Sequence, residues 1–321
     1  MKIPASLILI FSLMCLSASC QKEVIRSGDS GATKGLYASP QFSKSELIRY
    51  ENVLYSTRPN YMGKQFTDNN LKTSELQQNS LKIHLDIIVP PNATAKSRQP
   101  LIVFIHGGGF KQGSKKGLTS QIVSYASAGY VAATINYRLT VHQNNDAELR
   151  TKAALYALED VQNAIRFLKA NADIYHIDTT RIAVSGGSAG GGLALGIALG
   201  ADEIEDFISD YPGVSARVDA AFPSGATLTT DSQIDISTLQ FDKTDAPIML
   251  FHNSEKDPAT GATWQDVKNT EKLIKDSGNE ILLVPQPPNT HTVSLALGGP
   301  FWDTIKPFLW QHLRLDEISA K

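Results

Sequence analysis

Apolar residues in this chain of 321 residues fall into two kinds of pattern. Residues 81–89 alternate between apolar and polar side chains, which is the period-two pattern of a strand with one buried face, and we expect an early edge strand there. Continuous apolar runs follow, and each predicts a short strand buried on both faces: residues 101–105, 130–135, 181–184, 218–222, 247–251 and 281–284.

Stretches with helical spacing lie between these runs. The clearest is residues 151–170, where apolar side chains recur every three or four positions; the others are residues 118–128, 188–199, 264–276 and 301–313. Strands that alternate with helices predict an α/β fold with a mostly parallel sheet covered by helices on both faces. We expect one catalytic domain over residues 36–321, in which the unpatterned residues 36–80 either cap a site or brace the sheet.

The first residues are predicted to be an export signal. Lys2 precedes an apolar stretch over residues 4–16, too short to span a bilayer, and small residues lead into Cys20. This predicts a signal peptide over residues 1–19. The segment is similar to a bacterial lipoprotein signal, although Leu16 lies one position earlier than is usual for one. We therefore expect export to the bacterial cell envelope with lipidation at Cys20, ordinary cleavage with a free Cys20 being the alternative, and a flexible tether over residues 20–35.

The composition narrows the classes of function. Hydrophobic residues make up 42% and charged residues 19% of the chain, and the formal net charge is −2, with no long run of one sign. This predicts no nucleic-acid partner and no basic membrane-binding helix, so membrane contact is expected only through the lipid anchor. The two cysteines are Cys15 and Cys20, so the domain that follows them has no disulfide, thiol nucleophile or thiolate metal site.

A glycine-rich motif, Gly186-Gly187-Ser188-Ala189-Gly190, follows the apolar run at residues 181–184 and precedes a helix pattern. It fits G-x-S-x-G, the strand-turn-helix element that exposes a nucleophilic serine. Glycines are needed there because flanking β-carbons would clash in so sharp a turn. A phosphate-binding loop is the alternative, but no lysine follows at the P-loop position and G-x-G-x-x-G is not met. We predict that Ser188 is a nucleophile.

A second motif, His106-Gly107-Gly108-Gly109-Phe110, follows the run at residues 101–105. It fits the H-G-G-G loop, whose backbone N–H groups can point into a cavity without interference from side chains. We predict that the amides of Gly107, Gly108 and Ala189 form an oxyanion hole. A tight structural turn is the alternative interpretation.

A nucleophilic serine needs a general base, and the chain has seven histidines. The order expected for a nucleophile-elbow fold is serine, acid, histidine, which leaves His252, His291 and His312. We expect His252, at a strand end, and His312, in the last helix, to pack structurally, so His291 is the predicted base. Asp257 follows the run at residues 247–251 and is the predicted acid, with Glu255 as the alternative.

These motifs, together with Asn136-Tyr137-Arg138-Leu139, resemble the α/β-hydrolase fold carboxylesterases, close to the hormone-sensitive-lipase-like and the acetyl-xylan or feruloyl esterase branches. The resemblance covers roughly residues 81–313 and implies a triad with no metal and no organic cofactor. Two departures stand out. The acid loop of that family usually reads His-Gly-Thr-x-Asp, whereas Asn253 replaces the glycine and one extra residue precedes Asp257. The usual Ala-Pro-Glu after Leu139 is absent, so residues 140–149 are expected to differ in shape.

Together with the predicted export signal, the resemblance implies a secreted serine esterase that hydrolyses small-molecule or carbohydrate-linked acyl esters through an acyl-enzyme. The short interval between Ser188 and Asp257 leaves little room for a large lid, which argues against a long-chain lipase. A peptidase or amidase of the same fold is one alternative. A catalytically inactive surface binding module is the other, and it would be expected to lack a member of the triad.

Overall fold

The computed structural model describes residues 35–59, 66–67, 80–140, 147–200, 208–228 and 241–319. The predicted signal peptide, the predicted lipidation site Cys20 and the predicted tether, apart from Gly35, lie outside these residues. Most of the segment expected to differ from the family pattern, residues 141–146, also lies outside them.

One large sheet forms the centre of the fold. The strands in the described ranges are β1 (Ile48–Pro59), β2 (Phe66–Thr67), β3 (Ser80–Val89), β4 (Gln99–Ile105), β5 (Val131–Ile135), β6 (Leu139–Thr140), β7 (Ile177–Gly186), β8 (Ala220–Ala221), β9 (Ile248–Asn253) and β10 (Ile281–Gln286). Eight of them form a sheet in the order β1-β3-β5-β4-β7-β8-β9-β10, and β2 pairs with β6 separately. The pairs β1–β3 and β3–β5 are antiparallel, and every pair from β5 to β10 is parallel, which confirms the predicted sheet.

Helices cover both faces of the sheet, as predicted. They are α1 (Thr119–Ser127), α2 (Ala147–Ala170), α3 (Ala172–Tyr175), α4 (Ala189–Ala198), α5 (Trp264–Asp276), α6 (Trp302–His312) and α7 (Asp316–Ser319). Buried side chains of α1 and α6 share one apolar cluster with one face of the sheet, and those of α2, α4 and α5 share another with the opposite face. None of these described helices has both the length and the apolar character that crossing a membrane requires.

The expectation of an edge strand at residues 81–89 is wrong. β3 occupies this stretch, but β1 pairs with it on one side and β5 on the other. β1 carries register shifts between Tyr50 and Val53 and between Leu54 and Ser56, and such shifts interrupt the alternation of side chains between the two faces. No regular period-two pattern therefore marks this strand in the sequence. β1, over residues 48–59, is therefore the edge strand on this side of the sheet.

The carboxyl ends of the parallel strands lie along one edge of the sheet. β4, β7, β9 and β10 end at Ile105, Gly186, Asn253 and Gln286, respectively. In open α/β sheets this is the edge at which ligands bind. The loops that follow these strands carry both glycine motifs, the predicted acid and the predicted base, so the topology gathers the candidate residues at one edge.

A buried ion cluster joins the segment after β5 to α2 and β1. Nε of Arg138 donates to both carboxylate oxygens of Asp160 (3.0 and 2.9 Å), and its Nη2 donates to Glu159. Arg58 Nε lies 3.7 Å from Glu159, and Arg58 Nη1 donates to Asp210 over 2.7 Å. Burial alone would lower the pKa of Arg138, but the two carboxylates outweigh it and hold the pKa above its ordinary value.

Replacing Arg138 by methionine should destabilise the protein strongly, because Asp160 and Glu159 would lose a buried partner charge. We expect Arg138→Met to lower the free energy of unfolding by about 3–5 kcal/mol in urea titrations followed by circular dichroism. Lys272→Met is the control, since Lys272 pairs with Asp276 on the surface of α5 with its side chain 73% exposed. It should change the same quantity by less than about 1 kcal/mol. Losses of similar size in the two variants would contradict the prediction.

Candidate active site

Ser188 lies on a strained turn between β7 and α4, as its motif predicts. Its backbone has φ 57° and ψ −125°, a conformation that residues with a β-carbon rarely adopt. Its amide donates to the carbonyl oxygen of Ser224 over 2.9 Å. The turn also requires Gly190, because a Cβ there would lie 2.1 Å from the carbonyl oxygen of Ile105. The turn is therefore held by close backbone contacts with its neighbours.

His291 and Asp257 reach Ser188 from two other loops. His291 Nε2 lies 2.7 Å from Ser188 Oγ, and His291 Nδ1 lies 2.9 Å from Asp257 Oδ2. An ionised carboxylate can only accept a hydrogen bond, so the imidazole donates from Nδ1 to Asp257 and Nε2 is left to accept the serine proton. The structure thus brings together the three side chains that the sequence predicts as nucleophile, base and acid.

Asp257 is an ionised carboxylate in a buried turn. Its side chain is fully buried, and its Oδ1 accepts hydrogen bonds from the amides of Ala259 (2.9 Å) and Thr260 (2.8 Å). Burial alone would raise the pKa of Asp257, but the hydrogen bonds from His291 and from the two amides outweigh it and hold the pKa below its ordinary value. Asp257 therefore remains charged at neutral pH and can orient the imidazole.

The alternative acid, Glu255, lies in the same loop but on its exposed side. Its amide donates to Oδ1 of Asn253 over 2.8 Å, and Nδ2 of Asn253 donates to the carbonyl oxygen of Thr290 over 3.0 Å. The departure from the family pattern thus has a structural consequence. The Asn253 carboxamide, where the family has glycine, joins the acid loop to the loop that carries His291.

The two histidines expected to pack structurally have polar contacts with groups other than the Ser188 hydroxyl. His252 is buried at the end of β9, with Nδ1 3.1 Å from the carbonyl oxygen of Asn253. His312, at the end of α6, has Nε2 3.3 Å from a carboxylate oxygen of Glu280. Burial lowers the pKa of both imidazoles, although Glu280 partly offsets this effect at His312. His142 lies outside the described residues.

The glycine loop after β4 lies directly against Ser188. A Cβ on Gly107 would lie 3.2 Å from the Ser188 Cβ and 2.7 Å from the carbonyl oxygen of Gly187. Gly108 has φ 121°, which favours glycine. Ala189 is the first residue of α4, so no preceding helical turn accepts its amide. The residues predicted as oxyanion donors are therefore gathered around the serine.

Tyr137 supports the glycine loop from behind. Its hydroxyl donates to the carbonyl oxygen of His106 over 2.8 Å, and its ring stacks on the His106 imidazole with centroids 4.3 Å apart. Burial raises the pKa of Tyr137 above its ordinary value, which already lies well above neutral pH. The hydroxyl therefore stays protonated and donates. Tyr137 belongs to a motif that the sequence singles out, but its role as a support for the loop is visible only in the structure.

A cavity of about 420 Å³ opens beside Ser188. Gly107 lines it on one side, Leu118 and Gln121 line it from the start of α1, and Val293 lines it from the histidine loop. Its size lies within the range of small-molecule sites, and apolar walls with a few polar groups are typical of them. In the part of the chain that the structure describes, no group of three or more His, Cys, Asp or Glu side chains could hold a metal ion.

Two buried polar side chains near His291 were not predicted. Ser224 follows β8, and Gln286 is the last residue of β10. A signal for Gln286 was present, because a polar residue at the end of an otherwise apolar strand must find hydrogen-bond partners when it is buried. Ser224 gave no such signal, since a serine between proline and glycine is ordinary in a turn.

Comparison with known proteins identifies related sequences. Residues 85–222 match the family model BD-FAE. The chain is 30% identical to the "Probable carboxylic ester hydrolase LipM" of Mycobacterium tuberculosis over 141 residues, which is 44% of this chain and 30% of that protein. It is 28% identical to the human "Arylacetamide deacetylase-like 2" over 174 residues, 49% of this chain and 41% of that protein. The chain thus spans less than half the length of these relatives.

Solved structures with the same fold include esterase 2 of Thermogutta terrifontis. The paraoxon-phosphorylated form superposes with a TM-score of 0.60 at 20% identity, covering 84% of this chain and 95% of that one. A likeness at this level of identity establishes the fold. The chain therefore has the α/β-hydrolase fold, and its residues 85–222 match the BD-FAE family model.

Proposed function

We propose that this protein is a serine carboxylesterase with Ser188 as nucleophile, His291 as general base and Asp257 as the acid that orients it. The observation that carries the proposal is the continuous chain of hydrogen bonds from Ser188 Oγ to His291 Nε2 (2.7 Å) and from His291 Nδ1 to Asp257 Oδ2 (2.9 Å). The strained turn at Ser188 and the similarity to a protein named carboxylic ester hydrolase support it.

Acylation begins when His291 Nε2 takes the hydroxyl proton and Ser188 Oγ attacks the ester carbonyl carbon. Asp257 stabilises the imidazolium that forms, because its pKa lies below the ordinary value and it stays ionised. The tetrahedral adduct then collapses as its bond to the alcohol oxygen breaks, and His291 gives the proton to the departing alcohol. Ser188 is left acylated.

The oxyanion of the tetrahedral adduct is proposed to accept hydrogen bonds from the amides of Gly107, Gly108 and Ala189. One donor of this kind contributes about 2.7–4 kcal/mol to stabilising the transition state.

Deacylation repeats the same steps with water. His291 takes a proton from water, the hydroxyl attacks the acyl carbon, and the proton returns to Ser188 as the carboxylic acid leaves.

We propose small acyl esters, free or linked to carbohydrate, as the substrates. The cavity of about 420 Å³ beside Ser188 supports a small acyl group. The esterase from Thermogutta terrifontis has been solved with butyrate bound and with propionate bound, which also favours short acyl chains. Amide hydrolysis is a second candidate, because one relative is named for arylacetamide deacetylation. An inactive binding module is less favoured, because the hydrogen-bonded set is complete.

Export belongs to the same proposal and is supported by the sequence of residues 1–20 alone. A protein that acts on esters of external polysaccharides must leave the cytoplasm, and lipidation at Cys20 would hold it at the cell envelope. The intact mass of protein purified from a membrane fraction tests this part. A mass without a lipid increment on Cys20 would refute lipidation.

Ser188→Ala should abolish ester hydrolysis. With p-nitrophenyl acetate, butyrate and decanoate, we expect the wild type to prefer the two short esters and Ser188→Ala to lose on the order of 10⁶-fold in kcat. Ser215→Ala, which removes an exposed hydroxyl in the loop before β8, is the control and should match the wild type. Equal rates for wild type and Ser188→Ala would overturn the proposal. A wild type that cleaves p-nitroacetanilide faster than the esters would favour the amidase.

Asp257→Asn should lower kcat by on the order of 10⁴-fold, because an asparagine can hold His291 in the wrong tautomer and cannot stabilise the imidazolium. Glu255→Gln should leave kcat close to that of the wild type, since Glu255 is exposed and the imidazole bonds to Asp257. Both variants are compared by kcat with p-nitrophenyl butyrate. If Glu255→Gln were inactive and Asp257→Asn active, the assignment of the acid would be wrong.

A further inference from the structure

The backbone next to His291 is exposed, whereas apolar side chains further along the same loop, Val293 and Leu295, pack against a buried cluster. Residues 287–289 and Thr292 are exposed, and the His291 side chain is itself 22% exposed. An exposed segment without buried apolar side chains depends on hydrogen bonds to its backbone for a defined position. Groups that bond to the backbone on either side of His291 should therefore help to set the position of the imidazole beside Ser188.

Gln286 and Ser224 supply such bonds from buried positions. Nε2 of Gln286 donates to the carbonyl oxygens of Thr290 (3.1 Å) and His291 (3.0 Å). Ser224 Oγ accepts the amide of Val293 over 3.0 Å and donates to Oε1 of Gln286 over 3.2 Å. Gln286 is 3% exposed and Ser224 is fully buried. The two side chains thus bond to each other and to the backbone both before and after the imidazole.

Ser224 is also bonded to the turn that carries the nucleophile. Its carbonyl oxygen accepts the amide of Ser188 over 2.9 Å, and its own amide donates to the carbonyl oxygen of Gly186 over 2.9 Å. The backbone of Ser224 therefore fixes the serine turn while its hydroxyl fixes the histidine loop. Ser224 is thus bonded to both of the segments that carry the partners of the Ser188–His291 hydrogen bond.

The Asn253 carboxamide adds a second link of the same kind. Its Nδ2 donates to the Thr290 carbonyl oxygen, which thereby accepts from two carboxamides, and its Oδ1 accepts the amide of Glu255. Asn253 thus bonds the histidine loop to the acid loop, whereas Gln286 and Ser224 bond it to the nucleophile turn.

We propose that Gln286 and Ser224 are positioning residues that set the distance between His291 Nε2 and Ser188 Oγ, a role that rests on the proposed esterase function. Neither side chain touches the reacting atoms. They act by fixing the carbonyl groups of Thr290 and His291 and the amide of Val293. Without them the loop keeps its covalent path, but the imidazole samples positions from which it cannot accept the serine proton.

The test compares kcat and KM of Gln286→Met, Gln286→Glu and Ser224→Ala with p-nitrophenyl butyrate. Gln286→Met keeps the length of the side chain and removes its hydrogen bonds. Gln286→Glu keeps an acceptor for the Ser224 hydroxyl and removes both N–H donors. We expect each Gln286 variant to lower kcat by about 10²-fold, as misplacement of a catalytic group by about 1 Å does. KM should change less than kcat, because the walls formed by Gly107, Leu118 and Gln121 stay in place and only the wall from the histidine loop is released.

A double-mutant cycle tests whether the two residues act as one unit. Because Ser224 Oγ and Gln286 Oε1 share a hydrogen bond and hold one loop, we expect Ser224→Ala to lower kcat less in the Gln286→Met background than in the wild type. Additive losses would contradict a shared positioning role.

Asn279→Leu is the matched control for Gln286. Asn279 is also a buried carboxamide, but it lies just before the opposite end of β10, where its Nδ2 donates to an Asp245 carboxylate oxygen over 3.2 Å. Asn279→Leu should lower Tm at least as much as Gln286→Met does, and its kcat should equal that of the wild type. If both variants lowered Tm and neither lowered kcat, Gln286 would be a structural residue only and the inference would fail.

A readout that needs no ester substrate separates this inference from the proposed function. The proton between His291 Nδ1 and Asp257 Oδ2, which lie 2.9 Å apart, should give a low-field resonance in proton NMR when the imidazole is held in place. It should be sharp in the wild type and in Asn279→Leu, and broadened or lost in Gln286→Met. A sharp, unshifted resonance in Gln286→Met would overturn the inference. An inactive wild type with the expected changes in this resonance would instead overturn the esterase proposal alone.

Discussion

The close approach of backbones at the carboxyl edge of the sheet is the constraint on which the site depends. A Cβ at Gly190 would lie 2.1 Å from the carbonyl oxygen of Ile105, and one at Gly107 would lie 2.7 Å from that of Gly187. The nucleophile turn and the glycine loop can therefore occupy these positions only without side chains. This contact leaves the Ser188 hydroxyl at the surface of the edge, where side chains from other loops can reach it. The strain at Ser188, with φ 57°, is tolerated because hydrogen bonds on both sides fix the turn.

Features that repeat along the chain were predictable from the sequence. The apolar runs of the buried strands and the helical periods between them predict a mostly parallel sheet with helices on both faces. The glycine motifs were informative because the glycines meet steric requirements rather than a statistical preference. The candidate triad followed from the order of residues after the strand ends, and in the structure His291 bonds to Ser188 and Asp257.

Features that depend on contacts between distant segments were not predictable. β1 was missed because its register shifts break the alternation that marks a strand, and its pairing with β3 moved the predicted edge of the sheet. Gln286 and Ser224 are 62 positions apart, and nothing local indicates that they share a hydrogen bond. The sequence motifs supply the reacting groups, whereas the distances between those groups depend on buried polar side chains outside the motifs. Asn253 is an example: it departs from the family pattern, and its carboxamide links the acid loop to the loop that carries His291.

Covalent labelling tests most directly whether Ser188 is the nucleophile of an acyl-transfer site. The protein is incubated with paraoxon, and the adduct is located by intact mass and by peptide mapping. We expect a single diethylphosphoryl group on Ser188 and no labelling of the Ser188→Ala variant. An unlabelled wild type, or an adduct on another side chain, would contradict it.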